Sequence, residues 1–310
     1  MKTLISVVGT TGIGKTKLAI ALAQHFSTEI ISCDSRQFFR EMKIGTAAPS
    51  EDELSQAKHH FIGQLSMKDY YSIGQFEHDS LELLNQLFEK YDIVIMVGGS
   101  MMYEKAVIEG LNDLPEANEE NQKKLETIWK TEGIEKLQEM LKDLDPEYYE
   151  NVDIHNPRRL FRAIDIIWQT GKTYSENISY AKNPRNFKTI RIGIEAPREK
   201  IYERINLRVD KMIENGLLEE AKNLDELRKS EEGRNLASLN TVGYSELFKY
   251  FDEEWDLDFA ISEIKKNSRR FAKRQLTWYR KEENIHYIEA GYSEKDFNRL
   301  IEYINSKTSM

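Results

Sequence analysis

Short apolar runs alternate with helical patterns in the first third of the chain. Three such runs, 4–8, 29–32 and 93–97, have the length of buried strands. Segments 17–25 and 76–90 carry apolar residues at helical spacing instead. Strands that are apolar throughout are typical of a parallel sheet covered on both faces. The alternation therefore predicts a doubly wound α/β core.

The middle of the chain changes character. Residues 113–187 are polar, carry helical periodicity and are poor in strand signals. Turn and breaker signals divide this stretch at Leu114-Pro115, Asp145-Pro146, Asn156-Pro157 and Asn183-Pro184. We therefore predict an all-helical insert over 113–187, within a core formed by 1–112 and 188–310.

The core pattern resumes after this insert. We predict a strand over 189–194, helical structure over 198–229 and 258–281, a last strand over 285–288 and a closing helix. No internal repeat interrupts the pattern. The complete order of elements is that of one α/β core with a large insertion.

Composition narrows the classes of protein. The 310 residues are 40% hydrophobic and 31% charged, which excludes a disordered chain, and the net charge of −9 argues against a nonspecific coat on nucleic acid. The single cysteine, Cys33, excludes an internal disulfide, suits a reducing compartment and is interpreted as a small buried residue. No apolar run is long enough for a signal peptide or a membrane span, so we expect a cytoplasmic protein without membrane contact.

A phosphate-binding motif follows the first predicted strand. It fits G-x-x-x-x-G-K-[ST] and consists of Gly9, Thr10, Thr11, Gly12, Ile13, Gly14, Lys15 and Thr16. Small residues let backbone N–H groups surround phosphate oxygens, and the following helix directs its positive end at the same place. Lys15 is expected to reach the distal phosphate, and the Thr16 hydroxyl to hold Mg²⁺. The alternative is a glycine turn without a ligand. With the sheet, the motif predicts a P-loop NTPase-like core.

The motif alone does not select the phosphate compound, and ATP is kept as a further candidate ligand. The strand over 93–97 ends in Gly98-Gly99-Ser100, without the carboxylate that nucleotide-hydrolysing motors and switches usually place there. This favours a small kinase or a transferase. Asp34 follows the second strand and is expected at the same sheet edge, where it could take a proton from a nucleophile. The alternative for Asp34 is a cap or loop carboxylate.

Basic residues are segregated into two places. Segment 265–281 carries eight positive charges and no acid, and Arg158, Arg159 and Arg162 follow Pro157 in the insert. A solvated helix face, phosphate clamping near the loop and contact with a nucleic-acid backbone are the three interpretations. Segment 242–244 is either a loop with a packed tyrosine or a place where the backbone of Gly243 approaches a base and Tyr244 stacks on it.

An ordered set of motifs resembles the tRNA dimethylallyltransferase family, also called tRNA isopentenyltransferase, in its bacterial form. The similarity runs from Gly9 to about Arg280. Its segments are GTTGIGKT (9–16), DSRQ (34–37), GTA (45–47), Tyr71-Ser72 before Phe76, GGS (98–100) with Tyr103, NPRRLFRA (156–163), GKT (171–173), VGY (242–244) and AKRQLTWYR (272–280).

The resemblance implies a reaction and a set of partners. A dimethylallyl group moves from dimethylallyl diphosphate to the exocyclic N6 amine of the adenosine 3′ of the anticodon in tRNA, and diphosphate is released. The phosphate loop then holds the prenyl donor, and Mg²⁺ assists. The resemblance assigns catalytic roles to Asp34 as general base, Lys15, Thr16 and Ser100. It implies no obligatory protein partner.

The resemblance implies contacts with the tRNA anticodon stem-loop for two segments, one of them in the insert. They are Asp34, Ser35, Arg36 and Gln37; and Arg158, Arg159, Leu160, Phe161 and Arg162. On the stacking interpretation of segment 242–244, Gly243 and Tyr244 are predicted to contact the tRNA as well. The chain departs from the family at Ser100, where Thr is usual, and at Thr10, Gly12 and Ile13, where Pro and Ala-Ser are common. The hydroxyl and the backbone loop are kept.

Two rival hypotheses remain on the residues alone. A small-molecule or nucleotide kinase explains the phosphate loop but leaves the insert and both basic clusters without a role. A nucleic-acid-binding module without catalysis explains the basic clusters but leaves the loop and Asp34 unused.

Overall fold

The computed structural model describes residues 1–112, 114–178, 184–233 and 236–308. The chain divides into two compact units, Met1–Ile108 with Arg185–Met310, and Glu109–Pro184. The second unit begins and ends a few residues earlier than the insert predicted over 113–187. Asp113, Asn183 and the last two residues of the predicted core lie outside the described residues.

The first unit contains a parallel sheet. Its strands, within the described ranges, are β1 Thr3–Gly9, β2 Ile30–Ser32, β3 His59–His60, β4 Ile93–Val97, β5 Lys188–Glu195 and β6 Ile285–Glu289, in the order β3-β2-β4-β1-β5-β6. Val97 is in register with both Val7 of β1 and Ser32 of β2. The carboxyl ends of β1, β2 and β4 therefore meet at one edge of the sheet.

The helices follow in chain order. Those up to the second unit are α1 Lys15–His25, α2 Glu51–Gln56, α3 Ile73–Lys90 and α4 Met101–Glu109. The second unit contains α5 Glu119–Glu132, α6 Ile134–Leu144, α7 Pro146–Asn151, α8 Pro157–Thr170 and α9 Tyr174–Ile178. The first unit resumes with α10 Arg198–Glu214, α11 Leu217–Lys229, a 3-10 turn Ala237–Leu239, α12 Tyr244–Phe251, α13 Leu257–Tyr279 and α14 Glu294–Thr308.

Both faces of the sheet are buried, which explains why β1, β2 and β4 are mostly apolar. Ile5 belongs to a cluster with residues of α1, α10 and α14, whereas its neighbour Leu4 belongs to a cluster with residues of α3 and β4. Successive side chains of a strand point to opposite faces, so both sets face a core. Ser6 of β1 is a buried exception, and its hydroxyl donates to the Glu104 carboxylate at 3.0 Å. A third cluster joins α11, α12 and α13 around the buried Tyr244.

The second unit has its own core. Leu125 of α5, Leu137 and Leu141 of α6, and Leu160 of α8 are fully buried together. The buried Asp165 accepts hydrogen bonds from the Asn118 N–H and from the side chains of Asn121, Gln122 and Gln169. These bonds satisfy a buried carboxylate and tie the segment before α5 to α8.

The predicted α/β class with a parallel sheet is confirmed, and two details differ. The helical stretch over 198–229 is two helices, because the chain turns at Gly216, whose φ of 98° lies in the left-handed region. The short elements α2, β3, α4 and α12 were not predicted. Among the described residues, no helix combines the length and the apolar character needed to cross a membrane.

Candidate active site

The phosphate-binding motif forms a loop between β1 and α1. Gly14 precedes the helix with a φ of 105°, a conformation that favours glycine, and it supplies no side-chain cap. The first N–H groups of α1 therefore remain open to an anion. The Lys15 Nζ donates a hydrogen bond of 2.8 Å to the Thr10 carbonyl, so its side chain lies along the loop.

The environment of Lys15 is short of negative charge. Burial, and then the positive charge of Arg208, lower the pKa of Lys15 to about 8, while Asp34 acts in the opposite direction. Arg208 of α10 also donates a hydrogen bond of 2.9 Å to the Thr11 hydroxyl. Two cations thus converge on one loop. An anionic ligand would relieve their repulsion.

Asp34 lies at the sheet edge where the sequence predicts it. The Cys33 N–H donates to the Val97 carbonyl at 2.8 Å, and the Asp34 Oδ1 accepts from the Arg36 N–H at 3.1 Å. Cys33 is buried, as predicted, and burial raises the pKa of its thiol well above the usual value. The side chain of Asp34 is therefore held by the backbone that follows it.

The diglycine Gly98-Gly99 after β4 lets two strand ends pack closely together. A Cβ added at Gly98 would lie 2.5 Å from the Cys33 carbonyl carbon, and one added at Gly99 would lie 2.8 Å from the Asp34 Oδ2. The ends of two neighbouring strands thus approach each other closely, and Gly99 lies against Asp34. Both glycines also line the loop cleft, so a close approach of their backbone to a ligand stays a prediction.

Ser100 makes its contacts with the protein. Its hydroxyl accepts from the Ser35 N–H at 3.0 Å and lies 2.9 Å from the Ser35 hydroxyl. The Gln37 side chain donates to the carbonyls of Thr46 and Ala47. The motif at 34–37 is thus fixed on both sides. Catalytic action of Ser100 and contact of this motif with RNA remain predictions.

Two clefts meet at Asp34. The loop cleft, of about 520 Å³, is lined by Gly12, Lys15, Thr16 and Gly99 among others. The Gly243 cleft, of about 370 Å³, is lined among others by Ser35, Arg36, Ser100, Gly243 and Arg274. The residues common to both are Thr11, Asp34, Arg208 and Phe271. A group in one cleft can therefore be brought next to a group in the other.

Tyr244 does not face either cleft. Its side chain is fully buried, and its hydroxyl donates a hydrogen bond of 2.6 Å to Glu220 and accepts one of 3.1 Å from the Gly45 N–H. Glu220 also accepts from the N–H groups of Lys43 and Ile44. The hypothesis that Tyr244 stacks on a base is wrong, because burial leaves no exposed ring face. Gly243, with a φ of 105°, does line the cleft.

The basic start of α8 is mixed in character. Arg158 and Arg159 are exposed, whereas Leu160 is fully buried in the core of the second unit, so its predicted contact with RNA is wrong. Phe161 packs edge-on against Trp129, with ring centroids 6.0 Å apart. Arg162 donates a hydrogen bond of 2.7 Å to the Pro115 carbonyl. Arg162 does not match the exposure of Arg158, although the two lie one helical turn apart.

The basic segment of α13 is also divided. Lys265 pairs with Asp210, Lys266 with Glu263, and Arg269 donates to Asn206. Arg270, Lys273 and Arg274 are exposed, and Arg274 lines the Gly243 cleft together with Phe271. Contacts with α10 account for Lys265 and Arg269, and a contact within α13 accounts for Lys266. A solvated helix face and contact with a phosphate-bearing ligand both stay as interpretations of Arg270, Lys273 and Arg274.

Known proteins of similar sequence identify the family of this chain. A model of the IPP transferase family matches residues 37–282. The chain belongs to this family. A tRNA dimethylallyltransferase from Christiangramia forsetii is 53% identical over 98% of this chain and 98% of that protein. One from Flavobacterium johnsoniae is 48% identical over the full length of both. The resemblance to tRNA dimethylallyltransferases is confirmed.

Solved structures of the family share the fold. The full-length tRNA isopentenylpyrophosphate transferase from Bacillus halodurans is 33% identical and matches with a TM-score of 0.74 over 100% of this chain and 97% of that one. A eukaryotic dimethylallyltransferase acting on tRNA is 26% identical. It matches with a TM-score of 0.81 over 94% of this chain and 74% of that one. The predicted α/β fold with a parallel sheet agrees with both.

Several residues of this IPP transferase family member were missed in the sequence. Arg204 donates a hydrogen bond of 2.9 Å to the Ile13 carbonyl, next to the contact of Arg208 with Thr11. The two arginines are four residues apart on α10, and this spacing could have indicated a shared helix face. Gln275 bonds the loop from α13. It belongs to the motif AKRQLTWYR (272–280), but the motif assigns it no contact with the loop.

The donor set of the loop cleft suits Mg²⁺ with a phosphate ligand. None of the described residues forms a hydrogen bond with the Thr16 hydroxyl, which lines the same cleft as the Asp34 carboxylate. In the described part of the chain, no three His, Cys, Asp or Glu side chains are grouped to hold a metal ion. A cation here would thus need one or two protein oxygens, with diphosphate and water completing its shell, the arrangement typical of Mg²⁺.

Proposed function

We propose that the chain transfers a dimethylallyl group from dimethylallyl diphosphate to the N6 amine of the adenosine 3′ of the anticodon in tRNA. The observation that carries this proposal is the position of Asp34, which lines both the loop cleft and the Gly243 cleft. The donor diphosphate occupies the loop cleft and the adenine enters the Gly243 cleft. The names of the relatives, tRNA dimethylallyltransferase, support this reaction.

The donor is held by cations and by backbone. Its diphosphate lies on the open N–H groups at the start of α1, in contact with Lys15 and near Arg208, within the loop Gly9–Thr10–Thr11–Gly12–Ile13–Gly14–Lys15–Thr16. Thr16 would hold Mg²⁺, which when bound neutralises charge that develops on the leaving group. Lys15 and Arg208 stabilise the same charge, and they do so best in the transition state.

The chemical step is a substitution at the allylic carbon. The bond from the adenine N6 to that carbon forms, and the bond from the carbon to the diphosphate oxygen breaks with its electron pair remaining on diphosphate. Asp34 takes a proton from N6 as the new bond forms. An exocyclic amine conjugated with a purine is a weak nucleophile, so a positioned carboxylate raises the rate. The base must leave the stacked loop of the RNA to reach this cleft.

Exposed cations carry the proposed contact with tRNA. Arg158 and Arg159 lie in the first turn of α8 with exposed side chains, and Arg274 lines the Gly243 cleft. Ser35, Arg36, Gln37, Phe161 and Gly243 complete the proposed contacts, with Arg162 in a supporting role. A substrate of this kind supports a cytoplasmic location. ATP remains a competing ligand for the loop.

One experiment separates this function from its rivals. The protein is incubated with labelled dimethylallyl diphosphate, labelled ATP and unmodified tRNA, and the destination of each label is measured. We expect the prenyl label on tRNA, at the adenosine 3′ of the anticodon. Transfer of phosphate from ATP would support a kinase instead. RNA binding without transfer of either label would support a binding module, and both results would reject the proposal.

A further inference from the structure

Gln275 is a fully buried amide that joins two parts of the site. It lies on α13, and its Oε1 accepts a hydrogen bond of 2.8 Å from the Thr11 N–H. Its Nε2 donates one of 2.9 Å to the Gly99 carbonyl. Both ends of the amide are satisfied by backbone groups that lie far away in sequence. A buried polar side chain with this pairing is costly to replace by an apolar one.

One backbone group belongs to the loop that binds the proposed donor, and the other lies beside the proposed base Asp34. Thr11 is part of the phosphate loop and also lines the Gly243 cleft. Gly99 packs against the carboxylate of Asp34, since a Cβ added there would lie 2.8 Å from the Asp34 Oδ2. The same Cβ would lie 3.4 Å from the Gln275 Nε2. One side chain thus spans the distance from the loop to the turn beside the proposed base.

Gln275 accepts a hydrogen bond at one end and donates one at the other, which a hydrophobic residue could not do. Thr11 presents a donor and Gly99 presents an acceptor, so the bridging group must accept at one end and donate at the other. A neutral amide of this length does both. An ionised carboxylate accepts at both ends and would repel the Gly99 carbonyl. A thioether of similar size does neither.

We propose that Gln275 is a positioning residue, which sets the distance between the bound diphosphate and Asp34. This inference rests on the proposed prenyl transfer. Gln275 holds the loop through Thr11 and the Asp34 turn through Gly99, so that N6, the allylic carbon and the leaving oxygen can align. It does not touch the substrates. Misplacement of reacting groups by about 1 Å costs about 100-fold in rate, so such a spacer acts on kcat.

The test compares Gln275→Met and Gln275→Glu with the wild-type protein. We measure kcat and KM for tRNA and for dimethylallyl diphosphate, the Kd of inorganic pyrophosphate, and the Tm. Gln275→Met removes both bonds and should lower kcat by about 10- to 100-fold with both KM values and the pyrophosphate Kd nearly unchanged. Gln275→Glu keeps the acceptor for Thr11 but repels the Gly99 carbonyl, so its kcat should fall at least as far as that of Gln275→Met, again at nearly unchanged KM.

Gln24→Met is the matched control. Gln24 of α1 also donates to a backbone carbonyl in another segment, that of Gln56, but it lines neither cleft. Its kcat should stay within about twofold of wild type, as for most surface changes. If Gln275→Met does not fold, the same criteria apply to Gln275→Glu.

The change in kcat and the change in KM distinguish a positioning role from a binding role. A fall in kcat at retained affinity supports positioning. A kcat within about threefold of wild type for the folded variants, or a loss confined to KM, overturns it, because a spacer acts on the step and not on binding. Failure of the wild-type protein to prenylate tRNA would instead reject the proposed function, independently of Gln275.

Discussion

In the loop cleft, side chains from α10 and α13 reach the phosphate loop from far away in the sequence, whereas at the start of α8 the exposed arginines stand on a locally built helix. Lys15 lies on the Thr10 carbonyl, Arg208 reaches Thr11 from α10, and Gln275 reaches it from α13. Within the described part of the chain, the side chains of Arg158 and Arg159 form no hydrogen bond or ion pair, and they project from a helix whose buried side belongs to the core of its own unit.

This difference indicates what each region tolerates. A site that aligns two reacting groups loses rate when one long-range bond is lost, because geometry is the quantity that it supplies. A surface that attracts a polyanion depends on the number of charges and much less on their exact geometry. Substitutions in the cleft should therefore act on the chemical step, and substitutions at α8 on binding and its salt dependence.

The largest effect is expected at Asp34. Asp34→Asn keeps the size and the acceptor for the Arg36 N–H but cannot readily take a proton, so single-turnover transfer should fall by about 10²- to 10⁴-fold. Pyrophosphate affinity and fold should be kept. Asp92→Asn is the control, since Asp92 lies at the other end of β4 and pairs with Lys2. A rate within about threefold of wild type would remove Asp34 as the base, since a positioned base contributes far more.

Loss of the Lys15 charge should be the next largest effect. Lys15→Met removes a cation that faces the leaving diphosphate, and turnover should fall by about 10²- to 10³-fold. The affinity for tRNA should be unchanged, because Lys15 does not line the Gly243 cleft. Lys90→Met, at the exposed end of α3, provides the control for a lost surface charge. Weakened tRNA binding with normal turnover at saturation would contradict this assignment.

The fold was predictable wherever the signal was local. The apolar runs predict β1, β2 and β4, because strands buried on both faces carry few polar positions. The motif at 9–16 predicts the loop and the helix after it. In contrast, β3 contains two residues, and no periodicity can be detected over so short a length.

The site was predictable only in part, because only some of its contacts depend on neighbouring residues in the sequence. Asp34 follows from its position after a strand. The contact of Gln275 with Thr11 spans 264 residues, and the burial of Tyr244 depends on Glu220 and Gly45 from other segments. Helical spacing places Arg158 and Arg162 on one face, but the Pro115 carbonyl that binds Arg162 cannot be seen in that spacing.

A smaller effect should appear with pH. The pKa of Lys15 is lowered to about 8, so the free protein begins to lose this charge as the pH rises through that value. Only the charged form attracts diphosphate. Pyrophosphate affinity should therefore fall above pH 8, by at most about tenfold per pH unit. Lys15→Arg keeps its charge, so the ratio of wild-type to variant affinity, measured by calorimetry at pH 7 and pH 9, isolates this residue. A constant ratio would contradict the lowered pKa.

The smallest effect separates two arginines of α8. Arg158→Ala should weaken tRNA binding by a few-fold and lower the slope of log Kd against log salt by about 1, because one phosphate contact and its released counterion are lost. Arg162→Ala should leave that slope unchanged. It should instead lower the stability of the second unit by about 1 kcal/mol, because the Pro115 carbonyl loses its partner. Filter binding between low and moderate salt gives the slopes, and thermal unfolding gives the stability. Equal changes in slope for both variants would mean that Arg162 leaves the Pro115 carbonyl and contacts a phosphate when RNA binds. Helical spacing, which places Arg158 and Arg162 on one face, would then predict the RNA contacts of α8 better than the hydrogen bond to Pro115 does.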